Sequence, residues 1–561
     1  MITITLTPEK NKLLVYTPYD NKILDRIKTI QGRVWNKTFK AWAFPFTSEM
    51  VADLEAIFRP IHQLRVMPEV AQYLETQSTR QKSNVEFKAQ PANAIALPED
   101  FKFITKPLDH QKVAVSLCLK NRSFGLFMEM GTGKTKVMLD LMGYYAETLE
   151  VNPCLVVCPV SVMDNWAAEV VKHQPTLKCM VLGGTREERV SLLQVGMRQG
   201  FHLFIVNYES AWRLEDELLK YKWGMVVLDE STKIKHRSSQ QAKGIMRIAK
   251  SVRRRYIMSG TPMPNSPLEL FNQIKFLDET VFGSNFYVFR DRYAVMGGYQ
   301  GYQVIGWKNL EELATKLGGV SYRVLKKDCL DLPDKVYKEY RLPMSDAFRK
   351  IYEEFAEEMV TEISGQTIMA TVVLAKLTKL RQLTSGFVYS DQHSVITMED
   401  QQKLKQLKEI LEEVTPRHKV VIWTTFRHEM AMIEKLLSEL KLRSVKIDGT
   451  VPQDERQEAI RKFQEEDSFR VFIGQQHAGG LGITLTAADY CIFFSNDYSP
   501  EIRLQCEDRL HRIGQKNPVT YVDIIMKATI DVTIKRMLIK KQDLSDYISS
   551  IDIKEILYGG E

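Results

Sequence analysis

The residues that could do chemistry begin with Met128-Glu129-Met130-Gly131-Thr132-Gly133-Lys134-Thr135. An apolar run, Phe124 to Phe127, leads into this stretch, and a helical pattern from Lys136 to Tyr145 follows it. Glycines at such a corner let backbone N–H groups turn inward and cradle an anion at a helix N-terminus. Met130, Gly131, Thr132 and Gly133 would form that cradle, Lys134 would reach the β- and γ-phosphates, and the Thr135 hydroxyl would hold Mg²⁺. The usual signature opens with Gly, and here that position is Met128.

A phosphate loop needs acids to hydrolyse what it holds. Met225 to Leu228 is an apolar run ending in Asp229-Glu230, about 95 residues downstream. An acid at a strand end binds the metal ion, and the next acid activates the attacking water. Asp229 takes the first role and Glu230 the second. Without the upstream loop, the pair would read as an ordinary acidic turn. Gln111, about 20 residues before the loop, can donate to and accept from an adenine edge at once, which would select ATP. Ser259-Gly260-Thr261-Pro262 ends another strand; its hydroxyls suit either a link to a neighbouring site or local turn capping. Gln505, Arg509 and Arg512 are spaced four and three apart, as on one helix face. Arginines so presented from a second domain would stabilise charge on a transferring phosphoryl group, although alone they read as a basic solvated helix. Gly479, Gly480 and Gly482 allow close backbone approach to a phosphate or to a facing domain.

These residues need a scaffold that brings strand ends together. Short apolar runs at Leu155–Cys158, Phe204–Val206, Met225–Leu228 and Arg255–Met258 alternate with helical segments, the pattern of a parallel sheet covered on both faces. The alternation restarts at Val420–Trp423, Ser444–Ile447, Val471–Ile473, Cys491–Phe494 and Tyr521–Ile525. The expected fold is therefore α/β, with two parallel-sheet lobes. The first spans 101–280 and the second 401–530, separated by a mostly helical, charge-rich segment over 281–400. A helical tail covers 531–561. Residues 1–65 read as a small α+β domain with ten Lys/Arg against six Asp/Glu. In it Trp35, Trp42 and Phe44 are expected in the core, with the basic residues beside them as nucleic-acid contacts. Residues 66–100, with Pro68, Pro91, Pro98 and a polar TQSTRQKSN run, read as a linker.

Composition sets outer limits. A chain of 561 residues needs several cores, and a net charge of +7 is compatible with a polyanionic partner. The seven cysteines include no C-x-x-C pair, which argues against a disulfide framework or zinc site. There is no membrane-length apolar run, and MITITLTPEK does not read as a signal peptide. A soluble, cytoplasmic monomer is expected.

The ordered set LDHQ, MGTGKT, LDEST, SGTP, HAGGLGITLTAADY and QCEDRLHRIGQ resembles the SWI/SNF-related branch of the superfamily 2 helicase-like ATPases. The resemblance covers about 101–535 and is most telling from Gln476 to Gln515. It implies two RecA-like lobes around ATP and Mg²⁺, duplex DNA across both, and translocation generally without stable strand separation. It also implies that Gln111 reads adenine and that Gly131, Gly133, Lys134 and Thr135 bind phosphate and metal. Asp229 and Glu230 become the metal-binding and catalytic acids, and Arg509 and Arg512 the arginine fingers, accompanied by Gln505. Two departures from the branch stand out: its acidic motif usually continues Ala-His, here Ser231-Thr232, and Met128 stands where Asp is common. The N-terminal Gly32-Arg33-Val34-Trp35 and Trp42-Ala43-Phe44-Pro45 are similar to the HARP domain of annealing helicases, which implies binding of branched DNA. Alternatives are a motor that strips protein from DNA, with residues 1–65 binding protein, or a non-catalytic DNA-binding scaffold.

Overall fold

The computed structural model describes the chain except residues 61–63, 92–93, 149–152, 265, 299–302, 365–369, 391–393, 478–482 and 541–561. It divides into two compact units, Met1–Cys329 and Leu330–Glu561.

At the centre of the first unit, among the described residues, lies a seven-stranded sheet. Its order is Ser321–Val324, Ser123–Met128, Arg254–Met258, Met225–Asp229, Cys154–Cys158, Leu203–Asn207 and Cys179–Val181. Every neighbouring pair is parallel. Cys154–Cys158 and Leu203–Asn207 are buried along their whole length, so helices cover both faces and strands with no polar alternation become stable. Parallel pairing also places the ends of Ser123–Met128, Met225–Asp229 and Arg254–Met258 along one edge.

The second unit repeats the design with six parallel strands among its described residues. Their order is Lys335–Leu342, Val519–Met526, Tyr490–Phe493, Val420–Thr424, Phe469–Gln475 and Arg443–Ile447. The two parallel sheets are the RecA-like lobes expected from the strand–helix alternation. The segment 281–400 is less helical than its charge pattern suggests. Besides helices it supplies Ser321–Val324 to the first sheet and Lys335–Leu342 to the second, as well as the hairpin Ala294–Gly297/Gln303–Trp307.

Among the described residues the N-terminal domain is a five-stranded sheet with helices Asn21–Thr29 and Ser48–Phe58 packed on it. Trp35 and Trp42 face each other across the Val34–Asn36/Ala41–Pro45 hairpin, edge to face at 5.2 Å. Phe44 is buried as expected. Trp35 is 47% exposed, which corrects its assignment to the core: its strand is the sheet edge, and its ring is set edge to face against Trp42.

Residues 66–100 are not simply a linker. Pro68–Lys88 is a continuous helix, opened by Pro in its first turn and closed near Lys88, both favourable placements. Its polar side chains are bonded to the first lobe. Asn84 exchanges hydrogen bonds with Asn121 at 3.0 and 3.1 Å and donates to the Gly319 carbonyl at 2.8 Å. Arg80 donates to Asn121 at 2.7 Å. The N-terminal domain is further fixed by the Lys316–Glu49 pair at 2.7 Å and by Gly32. A side chain on Gly32 would come within 2.9 Å of Val288, and its backbone is left-handed.

In the second unit a buried ion network ties four elements together. Asp523 receives Arg503, from helix Pro500–Glu507, and Lys535, from helix Ile530–Lys540. Arg503 also binds Glu507 at 2.9 Å, and Glu507 takes Lys335 and Tyr337. Burial alone would raise the Asp523 pKa, but Arg503 and Lys535 overcome it and hold the carboxyl at about 2. A depressed carboxylate stabilises the fold above its unfolded pKa and loses that contribution as pH falls through the folded value. Asp523→Asn should therefore destabilise the second lobe by roughly 3–5 kcal/mol, because it strands buried cations. Urea midpoints measured from pH 7 to pH 2 should show the gap between wild type and variant closing below about pH 4.

Candidate nucleotide site

The loop at Met128–Lys134 is fixed by its own backbone and by two side chains from helix Asp109–Lys120. Gly131 and Gly133 have positive φ (81° and 88°), a conformation that brings successive N–H groups to the helix N-terminus at Lys134. His110 Nε2 and Gln111 Nε2 lie 2.8 and 3.0 Å from the Thr132 carbonyl. Burial lowers the His110 pKa, so the ring is neutral at pH 7, and its Nε2–H faces an oxygen that can only accept. Gln111 Oε1 accepts from the Leu108 N–H at 3.0 Å. This glutamine, predicted to read adenine, is buried and bonded to the loop itself. A side chain on Gly133 would lie 2.2 Å from Gln111 Nε2, so only glycine fits under it.

Lys134 Nζ donates to the Met128 carbonyl at 2.8 Å and to the Glu129 carbonyl at 3.3 Å. Its positive charge thus sits inside the loop. Met128 itself is fully buried in the core. Only its carbonyl serves the site, which is why an apolar side chain is accommodated at this position. Thr135 is half-buried in the first turn of the helix.

The acids end a strand of the same sheet. Asp229 Oδ2 accepts from the Trp166 indole at 2.9 Å, and the Asp229 carbonyl accepts from the Tyr208 hydroxyl at 2.8 Å. Burial raises the Asp229 pKa, while the Lys134 charge and the Trp166 bond act against that rise. Glu230 adopts a left-handed backbone (φ 57°), uncommon for a non-glycine residue. Its Oε1 accepts from the Ser259 hydroxyl at 3.1 Å and from the Thr232 hydroxyl at 3.2 Å.

Ser259 performs both roles left open by its sequence: it holds Glu230, and its oxygen accepts from the Thr261 N–H at 3.2 Å. A side chain on Gly260 would meet Met130 at 3.3 Å, so the SGTP turn packs on the phosphate loop. The departing pair Ser231-Thr232 joins the same web. Ser231 donates to Gln273 at 2.6 Å, and Gln273 donates to the Pro262 carbonyl at 2.6 Å. Trp166, Tyr208, His110 and Gln273 were not singled out by sequence reasoning. A buried indole or phenol needs a polar partner, but nothing in the sequence says which one.

Gln505, Arg509 and Arg512 belong to the second unit, and the expected shared helix face does not form. The helix ends at Glu507, and Arg509 and Arg512 lie in the turns that follow. Gln505 donates to Glu501 at 3.4 Å, Arg509 is buried, and Arg512 donates to the Ile483 carbonyl at 3.4 Å. Gly479, Gly480 and Gly482 lie outside the described residues. Their neighbour His477 lies 3.1 Å from Asp497, a bond that raises the His477 pKa.

The loop cradle, with its lysine and a strand-end acid pair in one parallel sheet and a second such sheet after it, defines a helicase-like ATPase. The SNF2-related domain family matches residues 32–387 and the helicase conserved C-terminal domain matches 402–514; the chain belongs to the SNF2-related family. It is 30% identical over 441 residues to the transcription regulatory protein SNF2 of Saccharomyces cerevisiae, covering 74% of this chain and 26% of that protein. Nuclear protein STH1/NPS1 of the same yeast is 28% identical, with 74% of this chain and 32% of that protein covered. The chain thus spans a third or less of these relatives. The Caenorhabditis elegans homolog of SWI/SNF-related matrix-associated actin-dependent regulator of chromatin subfamily A-like protein 1 is 26% identical over 550 residues. That match covers 95% of this chain and 74% of that protein. The Sulfolobus solfataricus SWI2/SNF2 ATPase core in complex with dsDNA has a TM-score of 0.40 at 24% identity, covering 82% of this chain and 98% of that one. Among the described residues no helix is long and apolar enough to cross a membrane.

Trp166→Phe removes a hydrogen bond that favours ionised Asp229. The acid limb of the ATPase pH profile should move to higher pH, because Asp229 then protonates sooner. An unmoved limb would separate Asp229 ionisation from turnover.

Proposed function

We propose that the chain is an ATP-dependent motor that translocates on double-stranded DNA and anneals or remodels branched DNA. The observation that carries this reading is the placement of Asp229 and Glu230 in the same sheet edge as Lys134, within a chain of the SNF2-related family. The residues fit ATP with Mg²⁺: a cradle that a Cβ at Gly133 would fill, a lysine inside it, and a half-buried carboxylate that feels that lysine's charge. Thr135 and Asp229 would hold the cation, which supplies charge neutralisation at the phosphates. Lys134 exchanges loop carbonyls for phosphate oxygens. Glu230, oriented by Ser259 and Thr232, takes a proton from the attacking water. Arg509 and Arg512, with Gln505 beside them, supply cationic groups from the second lobe, and Gly482 lies in the glycine loop that serves the same lobe.

The N-terminal domain, read as HARP-like, recognises the junction. In support, Trp35 is an exposed ring on an edge strand between Arg33 and Lys37, and the similarity to the worm homolog extends over nearly the whole chain. An exposed flat ring beside cations suits unstacked bases next to phosphates.

Lys134→Ala or Glu230→Gln should lower DNA-stimulated ATP hydrolysis about a hundredfold or more while leaving DNA binding measurable. Near-normal turnover in both would overturn the site. Trp35→Ala should weaken fork binding about fivefold or more, with duplex-stimulated hydrolysis within about twofold of wild type. Displacement of a stalled polymerase without fork rewinding would favour a protein-stripping motor instead.

A further inference from the structure

A concentration of positive charge in the first unit lies away from the nucleotide loop. A cavity of about 820 Å³ opens between the N-terminal domain, helix Pro68–Lys88 and the first sheet. Nine of its lining side chains are Lys or Arg and three are Asp or Glu, a surplus of six, almost as large as the net charge of the whole chain. Such a surplus in one concavity focuses potential and draws anions.

The cations occupy the edge of the sheet opposite the phosphate loop. Arg122 immediately precedes strand Ser123–Met128, whose other end leads into the loop. Arg255 is the second residue of Arg254–Met258, whose other end leads into Ser259. The two positions are neighbours, joined by the bond from the Arg255 N–H to the Arg122 carbonyl at 2.9 Å. Arg255 Nε is buried and has no hydrogen-bond partner. Burial lowers its pKa, and the nearby charges of Asp278 and Glu279 act against that fall. Arg122, Lys243 and Lys250 are exposed and make no ion pair among the described residues. By contrast Arg247 is neutralised by Glu215. A buried, unpartnered guanidinium N–H beside unpaired cations is costly unless an anion completes it.

Aromatic rings extend the site. The Arg237 guanidinium lies 4.8 Å from the Phe286 ring and 5.1 Å from Tyr287, whose ring is 53% exposed. A second cavity of about 310 Å³ shares Arg237, Ser284 and Phe286 with the first and reaches Lys12 and Val34, the residue before Trp35. A charged track therefore runs from the sheet edge, past the edge-to-face rings of Phe286 and Tyr287, to the exposed tryptophan hairpin. Its volumes are those of sites for nucleotide-sized groups, too small for a duplex.

We propose that this track binds single-stranded nucleic acid, holding the unpaired arm of a branched DNA while the motor acts on the duplex. The role as an arm holder rests on the translocase reading above; the single-strand site itself does not. Phosphates would meet Arg122, Lys243, Lys250 and Arg255, and bases would stack at Tyr287 and Trp35.

The test uses the full chain, with Arg122, Lys243 and Lys250 all changed to Ser, and Tyr287→Ala as a second variant. The probes are fluorescein-labelled oligothymidylate of about 20 nucleotides, a blunt duplex, and forks with single- or double-stranded arms. Oligothymidylate and single-stranded-arm forks should bind the triple variant about tenfold more weakly at 0.1 M salt, with the salt slope reduced by roughly 2. Tyr287→Ala should weaken the same probes about fivefold with the slope unchanged. Blunt-duplex affinity should stay within about twofold in both variants. Unchanged oligothymidylate affinity in the triple variant overturns the proposal. An equal loss on blunt duplex also overturns it, since the cations would then serve a general DNA field. Failure of DNA to stimulate wild-type hydrolysis would sink the translocase reading, yet oligothymidylate binding would still decide the track.

Discussion

The nucleotide site depends on one carbonyl being held. Thr132 C=O is contacted by both His110 and Gln111, while the Thr132 hydroxyl donates to the Glu129 carbonyl at 2.7 Å. A peptide plane pinned on its oxygen side must present its N–H the other way. The following residues, Gly133 and Lys134, continue that presentation into the helix N-terminus. Without two side-chain donors a glycine-rich corner would sample several backbone states, and the entropy of ordering it would fall on ligand binding. Helix Asp109–Lys120 therefore orders the glycine loop through side-chain contacts to one carbonyl.

The same economy governs the acids. Desolvation at the strand end raises the Asp229 pKa, and the Lys134 charge and the Trp166 hydrogen bond act against that rise. Glu230 sits in a left-handed conformation that costs of order 1–3 kcal/mol for a non-glycine residue, tolerated where surrounding bonds over-determine it. Ser259 and Thr232 supply those bonds, and Ser231 anchors the next residue through Gln273 to the SGTP turn. The acidic strand end and the SGTP turn are thus one hydrogen-bonded body.

Much of this was legible because fully buried parallel strands are apolar throughout. The runs at Leu155, Phe204, Met225 and Val420 needed no alternation to be seen, and each strand extends only one or two residues beyond its apolar core. The loop, Asp229 and Glu230 were legible because their chemistry demands fixed residue types at a strand end. What failed shares a cause. Helix Pro68–Lys88 is polar nearly all round because it bridges two bodies and satisfies backbone carbonyls, so it carries no apolar stripe to betray it. Spacing placed Arg509 and Arg512 on a helix face, but helix Pro500–Glu507 stops before either, and the turn that follows is closed by bonds from Leu510 and His511 to the Glu507 carbonyl. Trp35 was assigned to the core on residue type, whereas its exposure follows from strand order, which no local pattern encodes.

Strand order also explains how one small sheet carries two anion-binding edges without their interfering. Ser123–Met128 and Arg254–Met258 are six and five residues long, so their ends lie roughly 17–20 Å apart at about 3.3 Å per residue. Surface charges separated by that distance are screened, since the Debye length is about 10 Å at 0.1 M salt. Arg122, Lys243 and Lys250 are exposed, so their field at Asp229 is weak, whereas the Lys134 charge lowers the Asp229 pKa directly. Neutralising the distal cations therefore leaves the ionisation of Asp229 where it was. What the two edges share is mechanical: the same pair of strands runs from Arg122 and Arg255 to the phosphate loop and Ser259. A tightly packed parallel sheet passes displacement along its strands far better than it passes charge across its width.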